Sequence, residues 1–236
     1  MKGMIVMSTA GGAQATSAFL KKTSLFRGTT EEELPTLLNC IAPSYREYAK
    51  NEFILRQGED ITAVGMVLSG RAQIVEEDFW GNRNIIADAW PGDLFGESYA
   101  FLPGERLRVS VIAEEACSVM MIDAKRMLEL CASACRFHTR LVQNILAETA
   151  RKNLALTRKL SHMSKRTTRE KLLSYLSGQS LAAGSDLFAI PFNRQQLADY
   201  LCVDRSAMSN ELCKMRDEGM LTFEKSSFHL KGNIEG

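Results

Sequence analysis

Between residues 45 and 122 the apolar positions fall in short runs broken by Gly, Asn and Asp: F-I-L-R-Q-G-E-D, V-G-M-V-L-S-G-R-A-Q-I-V, N-I-I-A-D-A-W-P-G-D, V-S-V-I-A and C-S-V-M-M-I. Short runs with turn residues between them predict an antiparallel barrel or sandwich. Phe79-Trp80-Gly81-Asn82 reads as a hairpin tip, and Trp90-Pro91-Gly92-Asp93 as a turn into Leu94-Phe95-Gly96-Glu97-Ser98. The period then changes. In the stretch 136–163, Val142, Ile145, Thr149, Asn153, Leu156, Leu160 and Met163 recur at spacings of three and four, which is a coiled-coil seam on one long helix. One helix alone leaves that stripe wet. Two copies bury it, so the seam predicts a parallel homodimer, the alternative being a stripe packed on its own barrel.

The flanks follow the same logic. Residues 1–18 are small and polar and predict a flexible N-terminus. A short helical region follows, in which Thr29 or Thr30 caps a helix opening on three glutamates. After the long helix, residues 164–168 form a polar hinge, with Thr168 capping the helix R-E-K-L-L-S-Y-L.

The stretch 193–215, N-R-Q-Q-L-A-D-Y-L-C-V-D-R-S-A-M-S-N-E-L-C-K-M, reads as two short helices with a tight turn between them. Asn193 and Gln196 form a capping-box variant ahead of inward-facing Leu197 and Leu201, and Ala198 is small enough to let another helix cross closely. Asp204 caps a second helix with Met208, Leu212 and Met215 as its buried stripe. On its other side Ser206, Ser209, Asn210 and Cys213 lie at i, i+3, i+4 and i+7. With Arg205 they present short hydrogen-bonding groups, as a helix in the DNA major groove must. This is a helix-turn-helix pattern, although Cys202 stands where Gly is usual and Glu211 where many such helices carry an aliphatic residue. Leu221 to Glu224 and Phe228 to Leu230 then predict two strands around Lys225-Ser226-Ser227, a wing.

Composition sharpens the picture in one respect. Residues 1–130 carry 13 Lys+Arg against 18 Asp+Glu, and residues 131–236 carry 16 against 10. The positive charge therefore lies on the half holding the helix-turn-helix, where phosphates would need it. With 236 residues, two domains are expected. No apolar run approaches the roughly 18 residues of a membrane span, and the start lacks a signal-peptide core, so a cytoplasmic protein without membrane contact is expected. The cysteines Cys40, Cys117, Cys131, Cys135, Cys202 and Cys213 contain no C-x-x-C pair and read as reduced thiols. Cys131 and Cys135, four apart on a probable helix, would share a face.

The runs F-I-L-R-Q-G-E, S-G-R-A-Q-I-V and P-G-D-L-F-G-E-S, followed by V-I-A-E-E-A-C and the winged helix-turn-helix, resemble Crp/Fnr-type transcription regulators over about residues 19–230. The resemblance implies an α+β protein. It would comprise a flexible segment 1–18, a sensor domain 19–135 built as a double-stranded β-helix or jelly-roll barrel of the cyclic-nucleotide-binding kind, a dimerisation helix 136–163 and a winged helix-turn-helix 164–236. It implies a DNA-contacting set of Arg194, Gln195, Arg205, Ser206, Ser209, Asn210 and Lys214. The family's base-reading motif carries an acidic reader and a terminal Arg, where this chain has Ser206 and Asn210. The resemblance points to Gly96, Glu97, Ser98, Arg108, Leu156 and Thr157 as the effector set, and Trp90 and Tyr99, near that loop in sequence, are expected to line it. Gly96-Glu97-Ser98 matches the opening of the family's phosphate cassette, but Arg108 falls one position out of register, which in a strand turns it to the other face. Leu156 offers no hydrogen bond to a base.

Iron–sulfur sensing needs clustered cysteines, and none precede Cys40. Haem sensing usually needs an axial His or Cys in the barrel; His138, His162 and His229 all lie beyond it, and Cys117 reads as a buried strand residue. Neither a metal, nor haem, nor a cluster is expected, and no catalytic constellation is present. The resulting expectation is a homodimeric, ligand-responsive regulator on a palindromic operator, with an effector other than cyclic AMP and, by the resemblance, RNA polymerase as a partner. Two alternatives remain open: a dimeric binding module that no longer binds DNA, and a thiol redox sensor using Cys131 and Cys135.

Overall fold

The computed structural model describes residues 17–128 and 136–231. The expectation for the N-terminal segment falls on residues outside that range but for its last two, and the Cys131–Cys135 pair lies outside the described residues. Contacts divide the chain into two compact units, residues 1–150 and 151–236.

Among its described residues the first unit contains eight strands: β1 Ser44–Tyr48, β2 Phe53–Leu55, β3 Ala63–Ser69, β4 Ala72–Glu77, β5 Arg83–Ala89, β6 Leu94–Phe95, β7 Ser110–Ala113 and β8 Cys117–Asp123. They pair antiparallel into two four-stranded sheets of order β1-β8-β3-β6 and β2-β7-β4-β5, the double-sheet jelly roll that the resemblance implied. These runs read as continuous apolar stretches because the strands bury consecutive residues: β3 is buried from Val64 to Val67 and β7 throughout. Val64, Met66, Val67, Val119, Met120 and Ile122 are fully buried, with Ser69 and Ser118 toward the ends. Gly65 is required by packing, since a Cβ there would lie 2.1 Å from the ring of Phe95. The hairpin tip falls where expected: Asp78 accepts from Trp80 N–H and Asn82 N–H at 2.9 Å, leaving Phe79 and Trp80 exposed. Two strands escaped the sequence reading. β1 is an edge strand of polar, exposed residues, and β6 spans only two.

Helix Glu33–Ile41 begins as expected near Thr30. The Thr30 hydroxyl accepts from Glu33 N–H at 3.2 Å and Glu33 returns the contact to Thr30 N–H at 3.1 Å, a reciprocal cap. Glu33 also accepts from Arg140 Nη1 at 2.7 Å, and Asn144 donates to the carbonyls of Leu25 and Arg27 at 2.8 and 3.0 Å. These bonds tie the start of the long helix Arg136–Met163 to the segment before the barrel, so Leu141 and Ile145 enter the barrel's own core beside Leu25, Phe26 and Met127. The expected seam is therefore corrected at its start. Ile145 is only 5% exposed within its own chain, and the outward position belongs to Leu146.

The second unit holds helices Thr168–Ala183, Arg194–Leu201 and Arg205–Asp217 and a three-stranded sheet of order β10-β11-β9, with β9 Leu187–Ala189, β10 Leu221–Glu224 and β11 Ser227–Leu230. Its core gathers Leu172, Leu176, Leu197, Ala198, Leu201, Met208, Leu212, Met215, Leu221 and Phe228. The hinge cap is Thr167, one residue earlier than expected, because Thr167 and Glu170 complete a capping box. Thr168 is the first helical residue.

Candidate nucleic-acid interface

Both helix-turn-helix caps form as the sequence predicts. Asn193 accepts from Gln196 N–H and Gln196 from Asn193 N–H, each at 2.9 Å, and Asp204 accepts from Ala207 N–H at 2.7 Å. Between the helices Cys202 adopts φ +50°, with its N–H bonded to Asp199 O at 3.2 Å. Lys171 Nζ donates to the Leu201 and Cys202 carbonyls at 3.2 and 3.4 Å, satisfying acceptors that a helix end leaves open. A side chain in the left-handed region costs about 1–2 kcal/mol, part of which glycine returns as chain entropy. Cys202→Gly is therefore expected to raise stability by about 0.5–1 kcal/mol, read as a higher midpoint in denaturant with unchanged slope. An unaltered or lower midpoint would show that the turn is not strained.

On the recognition helix Arg205, Ser206, Asn210 and Lys214 are exposed while Met208, Leu212 and Met215 are buried. Ser209 is half-buried and its hydroxyl donates to Arg205 O at 2.9 Å, which leaves its lone pairs available. Gln195 is exposed and bonded to Asp199 at 2.8 Å. Arg194 has a different setting. Its guanidinium lies 4.7 Å from the Phe223 ring centre and 5.1 Å from that of Phe228, and burial pulls its pKa down. Arg194 thus joins the helix to the wing by stacking.

At the other end of this unit His162 meets an aromatic group. Its ring lies edge-on to Tyr175 at 5.7 Å and 6.4 Å from Tyr200, with Phe192 stacked on Tyr175 at 6.1 Å. His162 Nδ1 is 2.8 Å from Ser174 Oγ. The Tyr175 hydroxyl is buried without a partner among the described residues, and burial, with Tyr200 adding to it, pushes its pKa up to about 12. Burial, and then the nearby Lys165, hold His162 below its ordinary 6.5, and Lys159 stands over Tyr200 at 5.6 Å. Burial, with Lys165 adding to it, makes the fold prefer the neutral ring. The unfolded chain then binds more protons below pH 6.5, and stability falls as pH drops through 6.5 toward the lower folded pKa. His162→Gln is expected to flatten that part of the stability–pH curve, measured by denaturant unfolding at a series of pH values. An unchanged slope would remove His162 as its source.

In the barrel, Gly96 takes φ +77° ahead of the short helix Glu97–Ala100 and Glu97 is buried. Ser98 is exposed, and Tyr99 packs against the cluster of Phe95, Leu107 and Val119. Trp90 is exposed beneath the guanidinium of Arg71 at 5.3 Å. Leu107 is buried, and its N–H and C=O bond to Glu59 O at 2.9 Å and Gly58 N–H at 2.7 Å. Arg108, next in sequence, points outward with its side chain 81% exposed and 3.7 Å from Glu105. A cyclic nucleotide needs a cation on its phosphate where Gly96 and Glu97 open the cassette, and neither Arg106 nor Arg108 is buried there. Leu156 and Thr157 belong to the second unit, where Leu156 is exposed and the Thr157 hydroxyl lies 3.2 Å from Asn153 Oδ1. No group of three or more His, Cys, Asp or Glu that could hold a metal occurs among the described residues.

A jelly-roll sensor domain and a capped helix-turn-helix with a wing define a DNA-binding transcription regulator. Residues 45–134 match the family model described as the cyclic nucleotide-binding domain. The chain is 25% identical over 211 residues to the transcriptional activator protein Anr of Pseudomonas aeruginosa, covering 87% of this chain and 84% of that one. It is 24% identical over 205 residues to the activator FnrL of Cereibacter sphaeroides, covering 82% and 77%. Among solved structures, CprK complexed with OCPA matches with a TM-score of 0.58 at 16% identity over 84% of this chain and 88% of that one, a likeness of fold. The chain is thus similar, at about a quarter identity, to transcriptional activators of the Crp/Fnr type.

Proposed function

We propose that the protein is a ligand-responsive regulator that binds a palindromic operator as a homodimer. The single observation that carries this reading is the exposed polar face of helix Arg205–Asp217, held by two capped helices on a packed core. Base edges in the major groove are read by such short polar groups on a rigid helix. Arg205, Ser206, Ser209 and Asn210 face the bases in this reading, and Gln195 and Lys214 the backbone.

The homodimer rests on the long helix. Leu146, Leu154, Leu156 and Leu160 are 67%, 57%, 68% and 66% exposed in the single chain. With Thr149 and Asn153, the leucines 146, 156 and 160 recur at threes and fours, and a second copy of the helix covers them. Val142 and Met163 are half-buried at its margins. RNA polymerase is the further partner that the resemblance suggests.

The effector, in this reading, is a small molecule other than cyclic AMP, taken by the barrel near Trp90, Tyr99 and Glu97; its binding biases which arrangement of the two recognition helices is populated. A thermal-shift titration tests this. Cyclic AMP is expected to leave the melting temperature unchanged, while a panel of small organic acids is screened for stabilisation, because a ligand that binds only the folded state raises it. Clear stabilisation by micromolar cyclic AMP would contradict the outward placement of Arg108 as the deciding feature.

A further inference from the structure

Glu211 is a carboxylate set among the buried stripe of the recognition helix, with its side chain only 18% exposed. A carboxylate beside a DNA-facing surface opposes phosphate binding unless a cation holds it. Arg169, in the first turn of helix Thr168–Ala183, is that cation. Its Nη1 lies 3.4 Å from Glu211 Oε1 and donates to Glu218 Oε1 at 3.0 Å, while Nη2 donates to Glu218 Oε2. Glu211 and Glu218 are seven residues apart, about two helical turns, so one planar guanidinium spans one side of the helix. The other oxygen of Glu211, Oε2, lies 3.9 Å from Lys214 Nζ, whose side chain is 69% exposed. Glu211 thus stands between two cations, one held by a second carboxylate and one open to solvent.

We propose that Arg169 is a positioning residue for DNA binding: by holding Glu211 and Glu218 it leaves the charge of Lys214 available to a phosphate. This rests on helix Arg205–Asp217 being the DNA-facing element. Without Arg169, the whole charge of Glu211 falls on Lys214, already 3.9 Å away, and cancels one phosphate contact per recognition helix. Arg169 itself touches no DNA in this scheme.

Binding of the full chain to a random-sequence DNA duplex, followed by fluorescence anisotropy over a range of salt, reads the effect. Arg169→Met is expected to weaken binding several-fold at low salt. It should also lower the slope of log K against log salt by about 0.9 per recognition helix, the value of one lost phosphate contact. Glu211→Gln in that background is expected to restore both, a rescue that loss of helix packing alone would not give. An unchanged slope in Arg169→Met, or no rescue, overturns the proposal. Lys214→Met in the otherwise unaltered chain must lower the slope by the same amount. An unchanged slope there overturns the proposal whether or not Arg169→Met folds. Failure of the unaltered protein to bind the duplex would instead overturn the DNA-binding reading, and the role of Arg169 with it.

Discussion

Replacing Leu156 and Leu160 together by Lys is expected to give a monomer in light scattering and to weaken binding to a two-half-site duplex by about 10²–10⁴-fold, the gain that linking two sites confers. The two leucines lie in the exposed stripe of helix Arg136–Met163. Each contributes about 1.5–3 kcal/mol when fully buried, and a charged Lys in their place keeps the seam open. Because neither residue belongs to a core cluster, the monomer should keep its fold and its circular dichroism. Ile145→Lys would be a poor substitute, since Ile145 is a core residue of its own chain and its loss reports on folding. A double variant that stays dimeric would place the subunit contact elsewhere.

Asn210→Arg is expected to change which base is preferred at one position of each half-site, from adenine toward guanine. An Asn amide pairs with the N6 and N7 of adenine, a guanidinium with the O6 and N7 of guanine, and each such pair discriminates by about 1–3 kcal/mol. Asn210 is exposed on the second turn of a helix whose cap and buried stripe fix its rotation. The salt slope should stay near its original value or rise slightly. A selection from random duplexes, run on both proteins, reads the change; identical preferences would mean that Asn210 does not face bases.

The helix-turn-helix was legible because its determinants are local. Asn193 and Gln196, or Asp204 and the stripe from Met208 to Met215, act within one or two turns, so spacing alone reveals them. The barrel was legible through its short apolar runs between turn residues, since strands such as β3 and β7 bury consecutive residues. Edge strand β1 was not, since in S-Y-R-E-Y only the last residue, Tyr48, is buried and no apolar run marks it. Long-range partners were invisible. Ile145 and Leu146 are both apolar, and only the bonds from Arg140 and Asn144 to the segment 25–33 decide which of them enters the core. Glu211 stood out as an acid among aliphatic positions, but its partner Arg169 lies 42 residues away. Arg108 lies ahead of β7, which begins at Ser110, so its exposure follows from the loop and not from a strand's face.

The most direct test of a homodimeric, sequence-specific regulator is the selection of binding sites from a fully random duplex pool by the full-length protein. Recognition by two symmetry-related helices is expected to enrich a palindrome whose half-sites lie about one helical turn, ~34–36 Å, apart. Enrichment of a single asymmetric half-site, or of no sequence at all, would contradict it.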